Sequence, residues 1–329
     1  MKPYVAISQM LLGAFLLVAA NAQAQGGESR DGFEWLKAMI VAEHQTDYSG
    51  VFVYQHENNV DTSRITHVIE GDGEYERLES LDGPRREIVR HDGHVWGHHD
   101  SGRVQVDSQQ GMDKFSSLLP EQLSALSTNY QAKLLGMERV AGYNAQVILF
   151  QPNDNWRYSH KIWVHTDSGL LLKAAVLGAK NKLIEQYTFS QLQIGGKIDR
   201  SWVKPSASTG LNGSDLHQQM EAAKTEIPVN SGWVVDVLPP GFKKTREIQR
   251  LMHGNHEPVT QIVFSDGLSA ISIFIELDDG DEDDMESLSS WGAMSLYHKV
   301  VGKHLFTVVG EVPAYTVMRT LDSIRHSGK

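Results

Sequence analysis

The chain has 329 residues, of which 40% are hydrophobic and 22% are charged, a composition that supports a sizeable core and excludes a disordered protein. Its formal net charge of −11 argues against a general nucleic-acid-binding protein, which needs a basic face. The absence of cysteine excludes disulfides, cysteine-ligated metal centres and thiol catalysis.

The N-terminus predicts a secretory signal peptide over residues 1–24. Lys2 supplies a positive charge, residues 5–20 are almost uncharged and apolar, and Ala22-Gln23-Ala24 is a small-x-small cleavage signal. An uncleaved membrane anchor is the less favoured alternative, because the apolar run is shorter than the roughly 20 residues that span a membrane. We therefore expect a cut after Ala24 and an exported, acidic mature protein.

Residues 31–47 predict one amphipathic helix, because apolar side chains recur at helical spacing behind Asp31, a favourable N-cap. From residue 48 the pattern becomes that of strands, and short β-branched and aromatic runs alternate with Asp-Gly turns. These strands are predicted at 51–55, 65–70, 74–81, 87–90, 94–97 and 104–106. Such close spacing is typical of an antiparallel meander.

A short helix is predicted at 120–128, because Pro120 suits the first position of a helix. Strands resume at 130–140, 145–151, 160–165, 170–177 and 183–192. About ten strands with few helices predict a β-rich α+β fold, in which a large, highly curved antiparallel sheet wraps on one or two helices.

A linker is predicted at 205–230, because proline, glycine and serine crowd its first half without apolar periodicity. Residues 25–204 would then form a large domain and residues 231–329 a smaller α+β domain. In the small domain we predict strands and one closing helix, at 233–238, 242–250, 259–264, 268–277, 304–309 and, for the helix, 314–326.

Two polar clusters resemble metal sites at first sight. The histidines between 91 and 99 lie close in sequence, but side chains alternate along a strand, so His94 and His98 share a face that His99 does not. The acidic run 278–284 lacks the spacing and the final glutamate of a calcium loop. We therefore favour a polar hairpin and a solvated loop, and we predict neither a metal nor a cofactor.

No catalytic motif stands out in the sequence. It contains no G-x-S-x-G elbow, Walker A loop, H-E-x-x-H helix or G-x-G-x-x-G turn. Serine, histidine and aspartate occur throughout, but nothing gathers them into a triad, and a hydrolase would need an activated nucleophile. The residues therefore favour a binding protein over an enzyme.

Candidate binding residues form a basic group and an aromatic group. The basic group suits capture of a phosphate or carboxylate, although it equally fits a solvated turn or strand edge. Aromatic side chains on strands either pack against the helix or, where the sheet stays unfilled, line an apolar cavity. Those on predicted strands include Trp156 and Phe189. We assign lipid binding to Arg85, Arg86, Arg90, Phe52, Tyr54, Trp96, Phe150 and Trp163.

Several segments occur in a fixed order along the chain. The first part carries YSGVFVY at 48–54, ERLESLDG at 76–83, REIVR at 86–90, RVAG at 139–142 and DSGLLLK at 167–173. The second part carries LPPGF at 238–242, SDGL at 265–268, SIFIE at 272–276 and VVGEVP at 308–313. With a signal peptide in front, this combination resembles the RseB/MucB family of periplasmic regulators of the sigma-E/AlgU-type envelope-stress sigma factor.

The resemblance implies a large N-terminal domain similar to LolA and LolB, a half-open β-barrel closed by helices, joined to a smaller C-terminal domain. It implies a non-enzymatic periplasmic protein that binds the periplasmic domain of a membrane anti-sigma factor of the RseA or MucA type. The partner would be shielded from regulated proteolysis, and lipopolysaccharide or lipid-like ligands would release it. The family brings no catalytic residues, and no short motif locates the residues that bind the partner.

A periplasmic lipid or lipoprotein carrier is the alternative, because the same sheet would serve as an apolar container. The second domain favours the regulator, since a carrier needs only the first. The sequence leaves open the identity of the lipid, the oligomeric state, including a homo-oligomer, and whether the concave face of the sheet is filled. Nucleic acid is not an expected partner.

Overall fold

The computed structural model describes residues 30–71, 73–91, 94–99, 102–105, 126–201, 227–250, 257–278 and 286–328, with the backbone alone at 94–99 and 102–105. The predicted signal peptide, most of the predicted linker and acidic run, and most of the helix predicted at 120–128 lie outside these residues. No helix within them is long and apolar enough to cross a membrane.

Eleven antiparallel strands form a large sheet. They are β1 (Tyr48–His56), β2 (Asn59–Glu70), β3 (Gly73–Ser80), β4 (Arg86–His91), β5 (His94–His99), β6 (Gly102–Gln105), β7 (Tyr130–Val140), β8 (Tyr143–Pro152), β9 (Ser159–His165), β10 (Leu171–Leu177) and β11 (Leu183–Ile194). Their order is β6-β5-β4-β3-β2-β1-β11-β10-β9-β8-β7, so β1 and β11 meet at the centre. The predicted antiparallel sheet is confirmed, with eleven strands rather than about ten.

The large sheet is open and strongly curled. Its two end strands, β6 and β7, are not neighbours of each other in the described strand order. The Tyr143 hydroxyl of β8 nevertheless donates to the Leu192 carbonyl oxygen of β11 at 3.2 Å, although two strands lie between them. Bulges in the β1/β11, β9/β10 and β7/β8 pairs add local bending. The expected half-open architecture therefore matches the structure.

Helix α1 (Gly32–Gln45) begins behind Asp31, as predicted. The Asp31 carboxylate accepts hydrogen bonds from the N–H groups of Phe33 and Glu34, and the Glu34 carboxylate accepts from the Asp31 N–H. This capping box fixes the start of the helix. A side chain at Gly32 would lie 2.6 Å from the Cβ of Ala132, so the helix can approach β7 closely only with glycine there.

The core beneath α1 lies over β7, β8 and β9. Leu36 and Met39 of the helix are fully buried against Ile148, Phe150 and Ile162 of the strands. Burial of such side chains contributes about 1.5–3 kcal/mol each, so this cluster anchors the helix on one half of the sheet. The other half, at β1, β10 and β11, receives less cover.

A smaller sheet follows residue 226. Its strands are β12 (Ile227–Pro228), β14 (Lys243–Arg250), β15 (Val259–Ser265), β16 (Ala270–Leu277), β17 (Ser287–Trp291), β18 (Met294–Val301) and β19 (His304–Gly310), while β13 (Trp233–Val235) pairs separately with β20 (Ile324–His326). The order is β12-β14-β15-β16-β19-β18-β17. Helix α2 (Ala314–Leu321) covers one face, where Ile273, Val308 and Val317 are fully buried.

Three details of the small sheet differ from the prediction. Residues 227–228, predicted as part of the linker, form β12 and pair with β14. The helix predicted at 314–326 ends at Leu321, because the Ser323 hydroxyl binds the Thr320 carbonyl oxygen at 2.8 Å and residues 324–326 pair with β13 instead. The β17–β18 hairpin is missing from the prediction, since the sequence of β17, SLSSW, contains no β-branched residue.

Candidate functional site

An apolar cleft lies on the helix-facing side of the large sheet, at β1, β10 and β11. Phe52, Tyr187 and Phe189 form one wall, and Ile162 and Ala174 contribute to another. The space available to water-sized molecules within the cleft is about 110 Å³. The concave face of the sheet is thus partly filled by α1 and partly open.

The pairing of β1 with β11 places the aromatic side chains of this wall next to one another. Phe52 lies opposite Phe189 and Tyr54 opposite Tyr187 in the β1/β11 pair. The Tyr54 and Tyr187 rings stack with centroids 4.5 Å apart, and the Phe52 and Phe189 rings meet edge to face at 6.1 Å. Cross-strand aromatic pairs stabilise a sheet by about 0.2–1 kcal/mol each, so the wall is also part of the framework.

The predicted aromatic residues lie in different places. Phe52 lines the cleft, Tyr54 is buried beside the cleft wall, and Phe150 is buried beneath α1. Trp96 lies in β5, and its side chain falls outside the described part of the chain. The placement of Trp156 on a strand is wrong, because it belongs to the turn between β8 and β9.

Trp163 lies on the face opposite the cleft. Side chains alternate along β9, so Ile162 points to the helix while Trp163 joins a separate cluster. The Nζ atoms of Lys161 and Lys173 lie 4.5 and 4.6 Å from its ring, and its indole N–H donates to Glu138 at 2.8 Å. Trp163 therefore does not contribute to the cleft.

The predicted basic group lies on β4 and the turn before it. Each arginine has a carboxylate nearby: Arg85 with Glu87 at 3.4 Å, Arg86 with Asp61 at 3.7 Å and Arg90 with Glu76 at 3.6 Å. The side chains of Arg85 and Arg86 are exposed, where such pairs contribute about 0–1 kcal/mol. Only Arg90 pairs with a residue that lines the cleft, Glu76.

A buried contact, here called the hub, joins the two sheets around Arg157, Asp266 and Tyr130. Arg157, in the β8–β9 turn, donates to the Asp266 carboxylate in the β15–β16 turn and to the Pro240 carbonyl oxygen at 2.5 Å. It also pairs with Asp154 at 3.1 Å. The side chains of Arg157 and Asp266 are completely buried, so each charge depends on its partners.

Asp266 accepts further hydrogen bonds at the hub. The N–H groups of Leu268 and Ser269 donate to it at 2.9 and 2.8 Å, and the Tyr130 hydroxyl donates at 3.1 Å. Burial and the nearby Asp266 carboxylate raise the pKa of the Tyr130 hydroxyl well above its usual value, so it keeps its proton and stays a donor. Leu268 packs into the core beneath α1, which ties the small sheet to the large one.

A second contact, here called the tip contact, places Trp291, Gly292 and Ala293 of the β17–β18 hairpin against Tyr54, His56 and Glu185. The buried Glu185 carboxylate accepts from the Tyr54 hydroxyl at 3.0 Å and from the Ala293 N–H at 2.9 Å. Gly292 has a φ of +58°, and a side chain there would collide with the Glu185 carboxylate. Only glycine therefore allows this approach.

Tyr54 connects the tip contact to the cleft wall through its stack on Tyr187. Burial and the Glu185 carboxylate raise the pKa of Tyr54 far above its usual value, so its hydroxyl remains a donor. On the other side, the Trp291 ring lies 4.4 Å from the His56 ring and 5.8 Å from the Tyr54 ring. The same tyrosine thus touches both the cleft wall and the small sheet.

A pair formed by His67 and Glu74 lies behind Tyr48, and Tyr48 also lines the cleft. Tyr48 stacks on His67, whose Nδ1 lies 2.8 Å from the Thr46 carbonyl oxygen and whose Nε2 lies 2.8 Å from Glu74. Burial disfavours the imidazolium, but these hydrogen bonds outweigh it and raise the pKa of His67. Burial opposes the Glu74 carboxylate too, yet hydrogen bonds from His67 and His44 lower its pKa.

Of the residues in the hub and the tip contact, the sequence singles out only Tyr54, and it does so as a candidate lipid-binding residue. Arg157 and Asp266 are 109 positions apart, and Glu185 and Ala293 are 108 apart, each pair without a motif. The Trp-Gly pair at 291–292 is a weak local signal of a close approach, because the same pair also occurs at 96–97. Within the described residues no cluster of three or more acidic or histidine side chains can hold a metal ion, and the side chains at 94–99 fall outside them.

Comparisons with known proteins match both sheets. The family model of the MucB/RseB N-terminal domain matches residues 31–207, and that of the MucB/RseB C-terminal domain matches residues 228–325. The sequence is 32% identical over 326 residues to the sigma factor AlgU regulatory protein MucB of Pseudomonas aeruginosa, covering 96% of each chain. It is 26% identical over 315 residues to the sigma-E factor regulatory protein RseB of Haemophilus influenzae, covering 95% of this chain and 96% of that one.

Solved structures agree with these matches. The structure of the Pseudomonas aeruginosa MucA/MucB complex contains a chain that superposes with a TM-score of 0.72 and 30% identity, covering 90% of this chain and 98% of that one. A structure of MucB in complex with the periplasmic part of MucA gives a TM-score of 0.70 and 30% identity, covering 90% and 99%. The likeness extends over the large and the small sheet alike.

Proposed function

The chain belongs to the MucB/RseB family, and on this premise we propose that it is a non-enzymatic periplasmic regulator of a sigma-E/AlgU-type envelope-stress sigma factor. It binds the periplasmic domain of a membrane anti-sigma factor of the RseA or MucA type. Bound in this way, the anti-sigma factor is shielded from regulated proteolysis and keeps the sigma factor inactive. The main support is the similarity, along both sheets, to the MucB chain of a MucA/MucB complex.

We propose a signal peptide at 1–24, a large domain at 25–204, a linker at 205–230 and a small domain at 231–329, with the end of the linker adding β12 to the small sheet. It includes no catalytic step. Three buried charged groups between the sheets, Arg157, Asp266 and Glu185, are engaged in holding one sheet to the other. Such groups serve as contacts rather than as an acid, a base or a nucleophile.

The cleft supports a second part of the proposal, that lipopolysaccharide or another lipid-like molecule is the releasing signal. Its mainly apolar wall, with Phe52 and Phe189, suits an acyl chain. A lipid phosphate would compete with Glu76 for the Arg90 guanidinium, and the exposed Arg85 and Arg86 would add attraction. Of the other predicted residues, Trp96 stays a prediction, while Phe150 and Trp163 are assigned to packing.

The position of Tyr54 suggests how the signal reaches the small sheet. An acyl chain in the cleft presses on Tyr187, which stacks on Tyr54, and Tyr54 shares the Glu185 carboxylate with Ala293 of the small sheet. A ligand shifts an equilibrium only if it prefers one state, so the cleft must be wider when the tip contact is open. The partner then binds the closed state and the lipid binds the open one.

The first experiment is calorimetric titration of residues 25–329 with the periplasmic domain of the anti-sigma factor encoded in the same genome. We expect saturable binding that weakens when lipopolysaccharide is added. Failure of well-folded protein to bind would exclude the regulator. The lipid or lipoprotein carrier would then be the favoured function, which the apolar cleft also supports. A carrier should co-purify with an acyl chain and transfer it to an acceptor.

A charge reversal tests the basic group. Arg85→Glu combined with Arg86→Glu should weaken lipid binding and leave the thermal midpoint nearly unchanged, because both side chains are exposed. Lys180→Glu with Lys182→Glu, in the exposed turn before β11, makes the same charge change elsewhere and serves as control. Equal lipid affinity in both double variants would remove the arginines from the site.

A further inference from the structure

Positive charge is concentrated in one half of the large sheet. Residues 130–194, which run from the start of β7 to the end of β11, contain seven lysine and arginine residues against four aspartate and glutamate residues, a formal charge of +3. The whole chain carries −11, so the remainder carries −14. This segregation gives an acidic protein one region that attracts anions.

Three lysines of this half-sheet lie on the same face. Lys133 of β7 is opposite Leu149 of β8, and Leu149 is opposite Lys161 of β9, so these side chains point to one side of the sheet. Lys161 is opposite Ala175 of β10, and alternation places Lys173, two residues earlier, on the same side. The adjacent residues of β9 and β10 face α1, so the lysines lie on the side away from the helix.

The lysine face, defined by Lys133, Lys161 and Lys173, carries little negative charge. Lys133 donates to a neutral amide oxygen of β8 at 2.7 Å, which leaves its charge uncompensated. The ammonium groups of Lys161 and Lys173 lie over the Trp163 ring. Among the side chains that the structure describes, the one carboxylate within ion-pair distance of these lysines is Glu138, 3.9 Å from Lys161. The described face therefore presents three ammonium groups against one carboxylate.

The two lysines over Trp163 also repel each other. Burial lowers the pKa of the Lys173 ammonium, and the like charge of Lys161 adds to this effect, while the Glu138 carboxylate opposes it. An anion bound beside both lysines would relieve the repulsion. The lysine face therefore gains stability from an anionic neighbour.

We infer that the lysine face binds the anionic headgroup surface of a phospholipid bilayer. The inference rests on the proposed function, in which the partner is a membrane protein and so holds this chain close to a bilayer. Such tethering raises the effective concentration of headgroups at the face, so a weak contact suffices. Ammonium groups meet phosphates here, and acyl chains stay in the membrane. The contact is thus distinct from the cleft, which lies on the other side of the sheet.

Two features favour a bilayer over an acidic protein segment as the occupant. The lysines extend from β7 to β10, and because neighbouring strands lie about 4.8 Å apart, they cover roughly 14 Å across the sheet. All three cations are lysines, whose flexible point charges suit mobile phosphates, whereas arginine suits carboxylates held in a fixed geometry. Each lysine close to an anionic membrane strengthens binding about five-fold.

Vesicle flotation with the mature chain, residues 25–329, tests the inference. We expect binding to vesicles of phosphatidylcholine mixed with phosphatidylglycerol, loss of that binding as salt is raised, and no binding to pure phosphatidylcholine. Binding that persists in high salt would overturn the inference in favour of an acyl chain in the cleft. Absence of binding to either vesicle would also overturn it and leave the proposed function intact, because the calorimetric titration needs no membrane.

Charge reversals locate the contact on the sheet. Lys133→Glu combined with Lys173→Glu should weaken binding to the anionic vesicles at least about ten-fold. Lys180→Glu with Lys182→Glu makes the same change in net charge in the exposed β10–β11 turn and should weaken binding less than about three-fold. Lys133→Gln with Lys161→Gln replaces the first pair if that variant does not fold. Equal effects of the two reversals would overturn the inference. Weaker binding of the anti-sigma domain with unchanged vesicle binding would overturn it in favour of an acidic protein segment.

Discussion

At the hub, a guanidinium and a carboxylate with fully buried side chains bind each other, and Tyr130 adds a hydroxyl donor. At the tip contact, a hairpin rests a largely exposed indole on the large sheet and makes one backbone hydrogen bond to a single carboxylate. Both contacts join the same pair of sheets. They differ in how much water they exclude and in how many bonds must break together.

The difference indicates which contact can move. Opening the hub would expose an apolar core residue, Leu268, and separate two buried charges, so the hub behaves as a fixed joint. Opening the tip contact loses one hydrogen bond, from the Ala293 N–H to Glu185, with a net contribution of about 0.5–1.5 kcal/mol. It also loses the ring contacts of Trp291, whose side chain is largely exposed. A small difference in free energy therefore suffices to open the tip contact, whereas the hub stays closed.

The largest effect is expected at the hub. Arg157→Met leaves the Asp266 carboxylate buried without its cation, and we expect a loss of about 3–5 kcal/mol in the free energy of unfolding, measured by urea denaturation. The double variant Arg157→Met with Asp266→Asn should recover part of that loss, because no lone charge remains. A loss below about 1 kcal/mol in the single variant would mean that the hub is not a fixed joint.

A smaller effect is expected at the tip contact. Glu185→Ala removes the acceptor of the Tyr54 hydroxyl and of the Ala293 N–H, and we expect a loss of about 1–3 kcal/mol by the same measurement. Glu185→Gln keeps one acceptor oxygen and should lose less. If Glu185→Ala lowers the free energy of unfolding as much as Arg157→Met does, the two contacts do not differ in strength.

The smallest effect is the pH dependence of stability that arises from His67 and Glu74. This pair lies behind the cleft wall and belongs neither to the hub nor to the tip contact. The pKa of His67 is raised above its unfolded value of 6.5, so its contribution is complete below that value and is lost as pH rises through the raised pKa. The pKa of Glu74 is lowered from 4.5, so its contribution is lost only in acid. The pair therefore stabilises most between pH 4.5 and 6.5.

His67→Gln should flatten the stability profile between about pH 6 and 8, with a change under about 1 kcal/mol because Glu74 is about one-third exposed. Urea midpoints at both pH values measure this. His44→Gln is the matched control, since His44 binds the same carboxylate from an exposed position. An unchanged slope in the His67 variant would assign the pH dependence to another group.

Local patterns predicted most of the strands. Period-2 apolar runs locate β1, β3 and β4 within a few residues and find the second half of β2, and the Asp31 cap locates α1. Signals of this kind lie within ten residues of the element they define. The serine-rich β17 lacks the signal and is missing from the prediction for that reason.

The remaining features depend on strand register and on contacts between residues distant in sequence, so local patterns did not predict them. The sequence shows Arg90 as a cation, but the β3/β4 pairing places it beside Glu76. Likewise Trp163 and Phe52 look equivalent as strand aromatics, yet alternation sends only Phe52 to the cleft. Arg157 meets Asp266 because two turns of different sheets converge, which no local pattern encodes.

The place of β1 at the centre of the large sheet also governs the order of assembly. β1 pairs with β2 on one side and with β11 on the other, and Tyr54 and Glu185, which meet across that pair, are 131 residues apart. Contacts so distant in sequence form slowly, and the N-terminal strands are made first. Before β11 pairs with β1, the edge of β1 that will bind β11 is unpaired, and Phe52 and Tyr54 lie on that strand. The partly folded sheet is then most prone to aggregation.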